Sequence, residues 1–301
     1  MPKSKWNLNT IYISERLQES LRPISRCAMT TVVAPMGYGK TTAVEWYLAE
    51  RARAEAPYIV RISVYSGNLA IFWKSVQDAF ARAGFAFLRE YDCPTDGASG
   101  GLLIDDLCHA LTGEKSCYIF IDDFHLLTDK RAPGFLCALA GRLPPNVHLI
   151  LASRDLFLPA AELVRLGGKV YQIGTAQLRL NHTELAVYTN RCGTALSDEQ
   201  IDTLLYYSEG WFSAVYLNLR MFSEHGVLPD PNSDISSIFT AAMIDPLPEK
   251  QREFLAVMGL ADEFTVEMAQ FVMADAHAED LLAALTGQNA FVKRLPDGVT
   301  Y

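Results

Sequence analysis

The sequence predicts an α/β fold, a doubly wound parallel sheet with helical units after it, on three observations. Five short apolar, β-prone runs recur between residues 29 and 173, with helix-period patterns between them. A glycine-bearing turn separates the first run from the first long helical pattern. Beyond about residue 178 the β-prone runs stop and capped helical patterns take over.

The five runs cover 29–33, 58–64, 117–121, 147–152 and 169–173. They are nearly continuous in apolar residues, as strands buried on both faces of a parallel sheet require. Between them, the pattern over 71–83 sets Phe72, Val76, Phe80 and Ala83 on one helical face, and 102–111 does the same with Leu103, Leu107 and Ala110. Further on, Asn181 with Glu184 three residues later signals a helix start, and Ser197 with Gln200 forms a capping box before 201–208. Gly210-Trp211-Phe212 leads into a third helical pattern over 213–222, and 226–235 reads as a turn-rich linker. The last stretch predicts helices over 235–243, 249–258, 266–273 and 278–285. A strand over 291–295, a tight Pro-Asp-Gly turn and a second strand from 299 follow. Helices before a hairpin describe a winged helix. It is cut short at the C-terminus by about one strand, so the chain is expected to be the N-terminal part of a longer protein. The predicted domains are 1–178, 179–230 and 231–301.

Composition excludes several classes. Half of the 301 residues are hydrophobic and 20% are charged, with no long like-charge run, so the chain is globular and not disordered. A net charge of −9 without a basic stripe disfavours direct nucleic-acid binding by these residues. Around the winged helix the acids Asp262, Glu263, Glu267, Asp275, Glu279 and Asp280 argue the same way. No apolar run is long enough for a membrane span, and no apolar stretch follows the basic N-terminus as a secretory signal would need. The six cysteines form no C-x-x-C pair, so reduced thiols in a cytoplasmic protein are expected.

The chemistry is carried by A-P-M-G-Y-G-K-T-T at 34–42. Strand, glycine turn and a helix opening on Lys-Thr make a phosphate-binding loop. Gly37 and Gly39 permit a tight turn that brings backbone N–H groups, with those of Tyr38 and Thr42, to phosphate oxygens. Lys40 is placed to reach the β- and γ-phosphates, and Thr41 to offer its hydroxyl to Mg²⁺. Ala34 stands where the first glycine of the usual pattern falls. The third run ends in Asp122-Asp123-Phe124-His125, which supplies a second Mg²⁺ group, Asp122, and a group to orient the attacking water, Asp123. The fourth run ends in Ser153-Arg154-Asp155, which puts a cation, Arg154, near a γ-phosphate; a surface pair with Asp155 is the alternative. His125 fits a role beside the acids and a surface helix start equally well. Trp211 is read as core packing behind a tight turn, with a place against the nucleotide as the alternative.

Assembled, these residues resemble the STAND class of P-loop ATPases, and within it the N-terminal part of MalT-like large LuxR-type regulators. The resemblance is carried by the phosphate loop, F-I-D-D-F-H at 120–125, L-I-L-A-S-R at 149–154, E-G-W at 209–211 and N-A-F-V-K-R-L at 289–295. It implies a P-loop NTPase sheet, a small helical lid and a winged helix. It further implies ADP held at rest, exchange for ATP on activation, and self-oligomerisation of the full-length protein. Inducer and DNA are implied to bind C-terminal regions beyond these residues. The arginine that the family often carries before the first helix has no clear counterpart near Ile11-Tyr12-Ile13, so the adenine contacts stay open, with Tyr12 and Ile13 as candidates. A slow regulatory ATPase is the leading function. The alternatives are a P-loop phosphotransferase, whose lid would need more arginines than Arg179, Arg191 and Arg220, and a non-hydrolysing nucleotide-bound scaffold.

Overall fold

The computed structural model describes residues 7, 10–225, 228, 244, 247–261, 263–287, 292 and 301. The chain divides into two compact units. A sheet unit comprises Ile13–Ala34 and Gly39–Leu178; a helical unit comprises Met1–Tyr12, Pro35–Tyr38 and Arg179–Tyr301.

The sheet unit holds five strands: β1 Met29–Val33, β2 Tyr58–Ser63, β3 Cys117–Asp122, β4 Val147–Ser153 and β5 Val170–Ile173. All pairings are parallel, in the order β2-β3-β4-β1-β5. Burial follows position. Every residue of β4 is buried, and so are the first five of β3, while the edge strands β2 and β5 keep exposed residues. Central strands covered by helices on both faces demand unbroken apolar sequence, and edge strands do not. Helices α1 (Glu15–Leu21), α2 (Lys40–Glu55), α3 (Leu69–Arg82), α4 (Gly97–Leu111), α5 (Arg131–Arg142), α6 (Ala160–Leu166) and α7 (Thr175–Leu178) accompany the sheet. The main core joins Val60, Ile119, Ile121, Leu149 and Leu151 of the strands to Phe80, Leu107 and Leu139 of α3, α4 and α5. Helix α4 begins five residues before its predicted start. Asp96 and Ser99 form a capping box there, and three glycines, Gly97, Gly100 and Gly101, leave that turn without the apolar spacing that marks a helix in sequence.

In the helical unit, α8 (His182–Arg191), α9 (Asp198–Ser208) and α10 (Phe212–His225) enclose a core of Leu185, Tyr188, Leu204, Val215 and Leu219. The caps at Asn181 and Ser197 both close as reciprocal boxes, each contributing about 1 kcal/mol. A second core, built on Phe254, Phe264, Leu282 and Leu285, gathers the helices Glu249–Met258, Val266–Met273 and Ala278–Gly287. Tyr301 exchanges both backbone hydrogen bonds with Phe264, at 2.9 and 3.0 Å. The predicted helix over 235–243 and the hairpin turn at 296–298 lie outside the described residues. Among the described residues, no helix is long and apolar enough to cross a membrane.

The α9–α10 connection turns on Gly210, at φ +73°, where a Cβ would stand 2.1 Å from the Leu180 carbonyl oxygen. The Gly210 carbonyl in turn accepts the Leu180 N–H at 2.9 Å. Backbone cannot yield as a side chain would, so Gly210→Ala is expected to destabilise the helical unit by at least ~2 kcal/mol. Chemical denaturation checks this; a loss within ~0.5 kcal/mol would contradict the close approach.

Candidate functional site

β1 runs directly into the phosphate-loop motif. Gly37 and Gly39 take φ +79° and +75°, the left-handed region that glycine adopts without steric cost. Ala34, at the first glycine position of the pattern, is buried and is not among the positive-φ residues, so the backbone there asks nothing that alanine cannot supply. Its carbonyl accepts a 2.7 Å hydrogen bond from Lys40 Nζ at the start of α2. Thr42, on the first turn of α2, is exposed.

The strand order sets the rest of the site. β4 lies between β1 and β3, so Ser153 and Arg154 emerge between the loop and the acids. The Ala34 N–H donates to the Ser153 carbonyl at 3.3 Å. Thr41 Oγ1 donates to Asp122 Oδ2 at 2.8 Å, and the Asp123 N–H donates to the other oxygen at 2.9 Å. A hydroxyl and a carboxylate in contact at the end of a strand are an oxygen donor pair of the kind Mg²⁺ takes. Asp123 sits at φ +53°, a backbone state that costs a non-glycine residue on the order of 1 kcal/mol. Its side chain remains about half exposed.

Burial shapes the electrostatics. It depresses the Lys40 ammonium to about 8, and the Arg154 guanidinium pushes the same way against the pull of Asp123, Asp122 and Asp155. Burial likewise lifts Asp155 to about 6 and raises Asp122, and it lowers His125 to about 4, where Arg154 adds to the effect. Both ring nitrogens of His125 and Oδ1 of Asp155 are buried without a hydrogen-bond partner. Buried polar atoms without partners are rare, and several around one lysine fit a site shaped to receive a polar group. Lys40, Thr41, Asp122, Asp123 and Arg154 all lie in the sheet unit. Asp155 belongs with them: its burial and raised pKa come from tertiary packing that adjacency to Arg154 does not reveal.

Gly37 and Tyr38 group differently. The loop crest Pro35–Tyr38 is part of the helical unit. There Trp211 Nε1 donates to the Met36 carbonyl at 2.9 Å, and the Ser213 N–H and hydroxyl donate to the Gly37 carbonyl at 3.1 and 3.2 Å. Tyr38 stacks on Trp211 with ring centroids 6.1 Å apart. A Cβ on Gly37 would lie 2.3 Å from Ser213 Oγ. Trp211 therefore holds the crest of the loop, a role that reading it as core packing misses. Of the adenine candidates, Tyr12 packs against Tyr188 and under Arg191, and Ile13 is buried in the sheet unit.

Residues 240–301 match the MalT winged helix domain. Over 94% of its length the chain is 21% identical to the HTH-type transcriptional regulator MalT of Vibrio campbellii, and over 97% it is 22% identical to MalT of Yersinia pestis. The chain is thus similar to MalT regulators along nearly its whole length. It spans about a third of the length of the curated relatives it matches, 32% and 34% in these two. Its fold is that of P-loop ATPases. A Walker-type ATPase of Pyrococcus abyssi superposes with a TM-score of 0.61 at 12% identity, covering 100% of this chain and 96% of that one. The ORC1 protein of Aeropyrum pernix, solved in complex with DNA, gives 0.53 at 13%, covering 95% and 86%.

The buried lysine has a consequence for stability. Its folded pKa of about 8 lies below the ordinary value of ~10.4, so folding favours the neutral amine. Below pH 8 the charge therefore costs stability, and the cost vanishes as the pH rises from about 8 toward the unfolded value. At pH 7, Lys40→Met is expected to raise the melting midpoint of the nucleotide-free chain by ~2–4 °C, the shift that ~1 kcal/mol produces in a domain of this size. The gain should shrink above pH 9. Calorimetry of wild type and variant across that range checks it; a lower midpoint for the variant at pH 7 would refute it.

Proposed function

We propose that the chain is the nucleotide-binding switch of a MalT-like transcriptional regulator, retaining ADP at rest and exchanging it for ATP on activation. The observation that supports this reading is the buried Lys40 near the Thr41–Asp122 pair, with both His125 ring nitrogens and Asp155 Oδ1 buried without a hydrogen-bond partner. In this reading 1–178 form the nucleotide-binding domain, 179–230 the lid and 231–301 the winged helix. The full-length protein is cytoplasmic, oligomerises when activated, and binds inducer and DNA elsewhere. No membrane association is proposed.

The residues divide the work. The loop N–H groups of Gly37, Tyr38, Gly39 and Thr42 bind phosphate oxygens, and Lys40 neutralises the β- and γ-phosphate charge. Thr41 and Asp122 would hold Mg²⁺, which when bound neutralises phosphate charge. Asp123 orients the attacking water with its half-exposed carboxylate, and Arg154 stabilises charge on the γ-phosphate. One candidate acid and one cation make a slow ATPase suited to timing a switch. A nucleotide can bias two states only as far as it binds them unequally, about 1.4 kcal/mol per tenfold.

Two measurements test the proposal. Denaturing the purified chain and separating the released nucleotide should yield stoichiometric ADP, and Lys40→Ala should release none and bind neither ATP nor ADP by calorimetric titration. Wild-type protein that carries no nucleotide and binds none would sink the reading. Separately, Asp123→Asn should slow ATP turnover by ~100-fold, within the range for loss of a positioned proton acceptor, with ADP affinity within about twofold of wild type. Turnover unchanged in that variant would remove Asp123 from the chemistry, and no turnover in the wild type would favour the non-hydrolysing scaffold.

A further inference from the structure

The sheet unit contains a second concavity that the nucleotide reading does not use. A cavity of about 400 Å³ lies between α3, α4, α5 and the sheet. Its floor is Ile119 and Ile121 of β3, and its walls include Phe72 and Trp73 of α3 and Phe135 of α5. Protein interiors pack as densely as organic crystals, and an apolar void does not hold water well. The volume falls in the range of ~300–1,000 Å³ that small-molecule sites occupy.

Two features show that the concavity is built into the sequence. Glycines line it where larger residues would close it. On α4, a Cβ on Gly100 would reach only ordinary contact with the Phe135 ring, at 3.5 Å, and one on the half-buried Gly101 would meet only Arg142 Nη1, at 4.0 Å. Glycine is poorly suited to helix interiors, so its use here goes against local propensity. The polar groups at the walls are also already matched. Trp73 Nε1 donates to the Tyr91 carbonyl at 3.0 Å. Arg131 pairs through two hydrogen bonds with Asp129, at 3.0 and 2.7 Å, and Arg142 pairs with Asp105 at 2.9 Å. Arg131 also donates to the Thr95 carbonyl at 3.3 Å, tying α5 to the segment before α4. Walls whose polar groups are already paired select against charged ligands.

We propose that this cavity is a binding site for a small, neutral, predominantly apolar molecule, held between the aromatic side chains of α3 and α5 over β3. The site is independent of the nucleotide reading and does not rest on it.

Titration with N-phenyl-1-naphthylamine, a neutral apolar fluorophore, tests the proposal on the intact chain. Binding at one site per chain is expected, with quenching of tryptophan emission that is largely lost in Trp73→Phe and a melting midpoint that rises with probe concentration. Gly100→Leu, which fills the cavity from α4, should weaken probe binding at least tenfold and raise the midpoint without probe. Gly101→Leu, at the half-buried neighbouring position of the lining, serves the same purpose if the first variant does not fold. Lys40→Ala should bind the probe as wild type does, which separates failure here from failure of the nucleotide site. Absence of saturable binding to wild type overturns the proposal. So does unchanged binding in a folded filling variant, or loss of binding in Phe271→Ser, whose exposed ring lies in the helical unit.

Discussion

The site is organised around the charge of Lys40, held where water is scarce. Its side chain is buried, and the Ala34 carbonyl fixes its nitrogen at the end of β1. A buried ammonium is costly unless its surroundings supply opposite charge and hydrogen bonds. The surroundings here do so in part. Asp122, Asp123 and Asp155 favour the charge, while burial and Arg154 oppose it and prevail, leaving the group at about 8. A cation kept below its ordinary affinity for a proton is one for which an added anion is favourable. The same burial raises Asp155 and lowers His125, so several groups at this end of the sheet are held away from their ordinary charge.

Strand order makes this concentration of charge possible. Because β4 separates β1 from β3, the loop and the acid pair are two strands apart, about 10 Å, with Arg154 between them. The first turn of α2 carries Thr41 across to within 2.8 Å of Asp122. The core beneath takes no part in this chemistry: Ile119, Ile121, Leu149 and Leu151 hold the strands together. The positive φ of Asp123 is tolerated for the same reason, since a strand anchored by that core can impose a sparsely populated conformation on the residue just past its end.

How much of this was legible in sequence depended on whether a feature was local. Both-face burial of β3 and β4 shows as unbroken apolar runs, and the Asn181 and Ser197 caps show as residue types at fixed spacing, so both could be read directly. The start of α4 could not, because its signals are glycines, which usually argue against helix. Asp155 was ambiguous because adjacency to Arg154 suggests a pair while burial depends on residues far away in the chain. Trp211 was placed correctly behind a turn, yet its hydrogen bond to the Met36 carbonyl spans 175 positions and leaves no periodic trace. The cavity beneath α3–α5 was invisible for a different reason: each glycine is unremarkable alone, and concavity exists only when three helices face one another.

The loop crest shows why the phosphate-loop pattern can lose its first glycine yet keep the other two. Ala34 contributes only a carbonyl, and a methyl group does not disturb that. Gly39 needs its positive φ to turn the chain into α2. Gly37 needs more than its φ, because Ser213 and Trp211 occupy the space a Cβ would take and both donate to neighbouring carbonyls of the crest. Trp211 and Ser213 donate to the Met36 and Gly37 carbonyls and so hold the peptide units of the crest, and groups already held lose less on binding than groups that must first be turned. Gly210 allows the tight turn that leads into Trp211, so the Glu-Gly-Trp element bears directly on the conformation of the crest at 35–38.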